Sequence, residues 1–266
     1  MNNFLYSQLI EPNLDNKETF LILDDGKSFS YEEIISIASK ISHKLIKFGL
    51  KVGDHILVKA PKCKETIALY LSSIMTGAVY IPLNSNYTPI ETNYFVKDSK
   101  PAFLICEESE IQKLKPICDE IGCKILSMNV NGEGEITDGL KNFDSYFKPA
   151  FRKDDDLAAL LYTSGTTGKP KGAMLTQLNL VSNANQLVNL WNINRDDTLI
   201  HSLPIYHTHG LFVAMNTTMM AGATVRLLKN FNLDYVFQAF DKSTLMMGVP
   251  TFYTRLLKDK RLNKKH

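Results

Sequence analysis

Short runs of β-branched and apolar residues recur along this chain, separated by segments of helical period, and this alternation restricts the fold more than any other feature. The runs are HILVKA at 55–60, VYIPL at 79–83, AFLIC at 102–106, LAALLYT at 157–163, TLIHSLP at 198–204, TVRLL at 224–228 and LMMGVP at 245–250. Strand and helix in strict succession is the pattern of an α/β chain built on mostly parallel sheets. One intervening helix is sharply bounded. Ser30 and Glu33 have capping-box spacing, Ile34, Ile37, Ile41, Leu45 and Phe48 form an apolar stripe, and Gly49 stands at the C-terminal cap position. Thr88, Pro89 and Glu91 repeat the start signal for a second helix.

The segment from Met128 to Lys153, with its NGEGE stretch and closing lysine and aspartates, has weak periodicity and the composition of a connection. It divides the chain into two expected lobes, 1–150 and 151–266, each a doubly wound βα unit. Gly132 and Gly134 lack a third glycine at dinucleotide spacing and a strand directly before them, so they read as a turn. At 266 residues and 44% hydrophobic content the chain can bury a real core. Thirty basic against 28 acidic residues leave no basic footprint for nucleic acid. No stretch reaches the ~18 apolar residues of a membrane span, and MNNFLYSQLIEPN has neither the basic nor the apolar region of an export signal. Cys63, Cys106, Cys118 and Cys123 show no metal spacing, which suits reduced thiols in the cytoplasm.

The most specialised stretch is TSGTTGKPKG, Thr163 to Gly172, with four hydroxyl side chains, three glycines and two lysines. A strand-like run precedes it, and Thr176 opens the helical pattern of Leu178, Val181, Leu187 and Leu190. Strand, glycine-rich turn and helix form a setting in which backbone N–H groups converge on phosphate. Gly165, Gly168 and Gly172 permit positive φ values and close approach of the backbone; Thr163, Ser164, Thr166 and Thr167 offer hydroxyls to phosphate or magnesium; Lys169 and Lys171 bring charge. The Walker A pattern does not fit, because Pro170 follows Lys169 and only two residues separate Gly165 from Gly168. A solvated loop of no special chemistry would not need so many specialised positions in a row.

TSGTTGKPKG resembles the phosphate-loop signature of the adenylate-forming enzymes, the superfamily of acyl-CoA synthetases, luciferases and peptide-synthetase adenylation domains. SYEEI, GAVYIPLN, LPIYHTHGLFVA from Leu203 to Ala214 and MGVPTFYTRLL from Met247 to Leu257 extend the resemblance over nearly the whole chain. The last two are most similar to the malonyl-CoA synthetases within that superfamily. The resemblance implies an ATP-dependent carboxylic acid–CoA ligase, with malonate as the acid and ATP, Mg2+ and coenzyme A as its small molecules. The alternatives are a fatty-acyl or aryl-acid CoA ligase, or a noncatalytic chain that binds a nucleotide or a partner.

The residue roles carried over by the resemblance are these. Thr163, Ser164, Gly165, Thr166, Thr167, Gly168, Lys169 and Lys171 would hold ATP. Thr167 would meet Mg2+ through ATP, and Thr167, Lys171 and His207 would act in catalysis. His207 would lie at the acyl pocket beside the reacting carboxylate, with Thr208, His209 and Gly210 shaping its wall. Read from the residues alone, His207 and His209 lack a third ligand for zinc, and a plain structural role is the other reading. Arg255 reads as a surface group, and Tyr206 and Phe212 as packing. Members of the superfamily continue with an aromatic-Gly-x-Thr-Glu motif, a ribose-binding aspartate and a small C-terminal domain bearing a lysine. None is visible here, so the expectation is an N-terminal portion of the large domain, inactive alone.

Overall fold

The computed structural model describes residues 3–163 and 170–262. In chain order the elements are α1 (Phe4–Leu9), β1 (Thr19–Leu23), β2 (Ser28–Ser30), α2 (Tyr31–Lys47), β3 (His55–Lys59), α3 (Lys64–Thr76), β4 (Val79–Pro82), α4 (Pro89–Ser99), β5 (Phe103–Cys106), α5 (Glu108–Ile121) and β6 (Lys124–Ser127). They continue with β7 (Leu157–Thr163), β8 (Lys171–Thr176), α6 (Gln177–Trp191), β9 (Thr198–His201), a π-helical turn (His209–Met215), α7 (Asn216–Ala221), β10 (Thr224–Leu227), α8 (Leu233–Phe240), β11 (Leu245–Met247) and α9 (Pro250–Leu257). All seven apolar runs read from the sequence are strands, and the fold is α/β with mostly parallel sheets.

Two compact units result: Met1–Pro12 with Glu33–Leu180, and Asn13–Glu32 with Val181–His266. The expected lobes 1–150 and 151–266 do not coincide with them. Strands β7 and β8 hydrogen-bond into the first sheet, in the order β6-β5-β3-β4-β7-β8, while the early β1 and β2 complete the second, in the order β11-β9-β10-β1-β2. The reason is pairing. Tyr80 of β4 faces Ala159 of β7, and Leu21 of β1 faces Val225 of β10, so sheet membership overrides position in the chain. Residues 128–153 do lack strands and α-helices, but they lie wholly inside the first unit.

In the first unit, residues of both parities on β3, β4 and β5 are buried, so both faces of the sheet are covered. Helix α3 is enclosed from Thr66 to Thr76. Asn3 ties the start of the chain to this helix, its Nδ2 donating to the carbonyls of Ile74 at 2.8 Å and Ala150 at 3.0 Å. At the carboxyl end of β3 the Lys59 ammonium is buried and pairs with the Glu110 carboxylate of α5. Helix α4 opens with the capping box read from Thr88 and Glu91.

In the second unit, adjacent residues of β9 enter different clusters. Leu199 packs with Ile193, Ala214 and Met247, and Ile200 packs with Val236 and Ala239 of α8 and Leu256 of α9. Alternation of this kind puts apolar layers on both sides of the sheet, as in a doubly wound fold. Tyr31 anchors the N-terminal strands here: its phenol donates to the carbonyl of Ala223 at 2.6 Å and its ring stacks on Phe20 at 4.4 Å.

Candidate active site

The stretch read as a phosphate loop joins two antiparallel strands. Tyr162 pairs with Gly172 and Thr163 with Lys171, so these two exposed side chains face each other where the hairpin opens. Ser164, Gly165, Thr166, Thr167, Gly168 and Lys169 lie outside the described residues. This corrects the strand–turn–helix setting expected from the sequence, since β8 intervenes between the loop and α6. Six residues of β8 thus separate Pro170 from the first residue of α6. Thr176 instead caps α6 reciprocally with Asn179, each backbone N–H donating to the other's side-chain oxygen.

Gly172 also has a different reason from the one expected. Its φ is not among the positive values, and an added Cβ would meet Leu160 Cδ1 at 2.8 Å. Glycine is needed so that Leu160 of the neighbouring strand can lie over the backbone.

Helix α4 grips both strands of the hairpin. The Tyr94 hydroxyl donates to the Pro170 carbonyl at 2.8 Å, and the Tyr162 hydroxyl donates to the Asp98 carboxylate. Phe95 meets the Tyr162 ring edge-on at 4.7 Å. None of these side chains stood out in the sequence; the only signal was the well-capped helix that carries Tyr94.

In the second unit, β9 leads through Ser202–Tyr206 to His207, Thr208, His209 and Gly210. The His207 amide donates to the Pro204 carbonyl and the Leu211 amide to the His207 carbonyl, forming a tight turn into the π-helical segment. Such segments are frequent at functional positions. Partial burial of the His207 and His209 rings lowers both pKa values, because desolvation disfavours the charged imidazolium. The Tyr206 and His207 rings lie 4.6 Å apart. His209 lines an apolar cleft of about 450 Å3 with Trp191, Ile193, Met247, Gly248 and Tyr253. His207 and Thr208 are exposed.

Gly210 is buried, and a Cβ there would stand 2.1 Å from the Pro204 carbonyl oxygen. Its own carbonyl accepts a 2.8 Å hydrogen bond from His201 Nε2, which fixes the proton of that ring on Nε2. His201, fully buried on β9, is a histidine that sequence reasoning passed over. It braces the turn that presents His207 and His209.

Among the described residues no three His, Cys, Asp or Glu side chains gather into a metal site, and no helix is long and apolar enough to cross a membrane. All four cysteines are free.

The chain belongs to the AMP-binding enzyme family, whose model matches residues 13–266. It is 33% identical over 254 residues to the mitochondrial malonate–CoA ligase ACSF3 of Xenopus laevis, covering 92% of this chain and 44% of that protein. It is 30% identical over 262 residues to a malonate–CoA ligase of Arabidopsis thaliana, covering 88% and 43%. ATP-bound MatB of Rhodopseudomonas palustris superposes with a TM-score of 0.96 at 40% identity, covering all of this chain and 53% of MatB. The chain thus spans about half the length of the relatives it matches.

Proposed function

We propose that this chain supplies the nucleotide-binding part of a carboxylic acid–CoA ligase that works through an acyl-adenylate, with malonate as its acid. The observation that carries the reading is the hairpin mouth, where Thr163 faces Lys171 on either side of the hydroxyl-rich loop. Two malonate–CoA ligases and an ATP-bound structure among the relatives support it.

In this reading the acid's carboxylate attacks the α-phosphate of ATP and pyrophosphate leaves. The thiol of coenzyme A then attacks the acyl carbonyl and expels AMP. The chain's part in the first step is to hold the β- and γ-phosphates while charge builds on them, through the Thr163 hydroxyl, the Lys171 ammonium and the intervening residues Ser164 to Lys169. A hydroxyl donor and an ammonium facing each other suit a polyphosphate. Mg2+ bound with ATP, at Thr167, would neutralise part of that charge. Partial desolvation lowers the His207 pKa and so favours the neutral ring, which can accept a proton from an incoming thiol without locking the substrate carboxylate into an ion pair. No cysteine is required as a nucleophile, and four free thiols suit the reducing cytoplasm we assign.

The test has two stages. Binding of MgATP to the chain should weaken about tenfold or more in Lys171→Ala, the scale of a lost charge-assisted hydrogen bond. Joined to the remaining half of a malonate–CoA ligase, the chain should support ATP–pyrophosphate exchange with malonate over octanoate or benzoate. MgATP binding indifferent to Lys171→Ala would overturn the loop assignment, and preference for octanoate or benzoate would overturn the acid.

A further inference from the structure

A second cavity, of about 270 Å3, lies in the second unit and is lined by Asp24, Gly26, Arg226, Tyr235, Gln238 and Lys242 among others. Its position follows from the strand directions. β1 and β10 run parallel, with Leu23 opposite Leu227, so Asp24–Gly26 and Leu228 emerge at the same end of the sheet. The crevice beyond the carboxyl ends of parallel strands is where open α/β sheets bind ligands. Helix α8 passes over this end and contributes Tyr235, Gln238 and the small Ala239.

The charges in this cavity are unevenly matched. Asp24 accepts the Lys229 amide at 3.2 Å, and Asp25 pairs with Lys27 at 3.1 Å. Both carboxylates therefore already have donors. Arg226 has no acceptor among the described residues: its Nε is buried without a hydrogen-bond partner. A buried donor left unmade costs free energy, and a guanidinium most of all. The Lys242 ammonium, in the same lining, likewise makes no hydrogen bond or ion pair with a described residue.

We infer that this cavity is a binding site for a small oxyanion, a carboxylate or a phosphate group, held by the fork of Arg226 with Lys242, Tyr235 and Gln238 at its rim. A planar guanidinium matches either group with two parallel hydrogen bonds, and the cavity has room for a small anion with its water. The site shares no residue with the hairpin mouth and does not rest on the ligase reading.

The experiment is NMR of the arginine Nε–Hε groups in the 266-residue chain, which has five arginines. Inorganic phosphate is titrated in one arm and acetate in the other, at constant ionic strength. A saturable shift of the Arg226 signal is expected, with the remaining four nearly still, and the arm that saturates at lower concentration assigns the group. Lys242→Ala should weaken that binding about tenfold. Arg226→Met should abolish the anion-dependent rise in melting temperature that remains in a Lys171→Ala background, while keeping or raising the melting temperature without anion. Should Arg226→Met not fold, the native-chain titration decides alone. A linear response in both arms, or equal movement of all five signals, overturns the site.

Discussion

The Tyr94 hydroxyl of α4 donates to the Pro170 carbonyl at 2.8 Å and so pins the phosphate-loop stretch, just before β8, to a helix of the same unit. The bond is partly buried, and Pro170 immediately precedes Lys171. Tyr94→Phe keeps the ring and removes only the donor. It should lower stability by about 0.5–1.5 kcal/mol and speed amide exchange at Lys171 and Gly172 more than elsewhere in the first sheet. Denaturant unfolding and hydrogen exchange read the two effects. Unchanged exchange in β8 would show that Tyr94 does not hold the hairpin.

Lys59 and Glu110 make the most secluded ion pair among the described residues, with Lys59 only 1% exposed. Glu110→Ala should cost about 3–5 kcal/mol, because it strands a charge in the core. The double variant Lys59→Met, Glu110→Leu should recover most of that loss. If the single variant lost less than the double, the pair would not be acting as a buried unit.

Gly210 and Gly222 separate two reasons for glycine. An added Cβ at Gly210 collides with the Pro204 carbonyl at 2.1 Å, whereas at Gly222 it meets nothing within 4 Å but must accept a φ of +69°. Gly222→Ala should cost about 1–2 kcal/mol from backbone strain. Gly210→Ala should cost about 3 kcal/mol or more, since the collision is with backbone, which cannot step aside. Chemical denaturation of both variants checks the ranking, and equal losses would contradict the close approach.

The lowered pKa values of His207 and His209 set the sign of a pH effect. The unfolded rings titrate near ~6.5 and the folded ones lower, so between those values the unfolded chain binds more protons. Their contribution is constant above ~6.5, and stability falls as pH drops from there towards the folded values. His207→Gln with His209→Gln should flatten the slope below about pH 6.5 relative to the native chain. An unaltered slope would mean both rings are fully hydrated.

The strands that could be read from the sequence were those buried on both faces, such as ILV in β3 and FLIC in β5, where apolar content leaves no ambiguity. Strand β8, KGAMLT, escaped because half of its residues are exposed and Gly172 is chosen for Leu160 rather than for strand propensity. Missing it produced the helix-terminus account of the phosphate loop. Strands β1 and β2 carried a signal, Asp25-Gly26 between two short runs, but nothing local reveals that their sheet partner is β10. The site was legible as a motif and opaque as geometry. Thr163, Lys171, His207 and His209 announce themselves by residue type, while Tyr94 and His201 act through hydrogen bonds to carbonyls distant in the chain or across a turn, which no spacing rule encodes.

The pairing of Leu21 with Val225 also orders events on the ribosome. The β1–β2 hairpin is translated before the rest of its sheet, and the strand that completes its parallel side follows about 200 residues later. At about 5–20 residues per second, that is a wait of roughly 10–40 s. Throughout it the first sheet can close on nascent chain up to Thr176, while Thr19–Leu23 presents an unpaired edge to whatever strand passes. Yield during synthesis therefore depends on shielding the five residues of β1. A chaperone that holds that edge, or a faster passage through the codons between β2 and β10, should raise the recovered native fraction without altering any contact in the finished molecule.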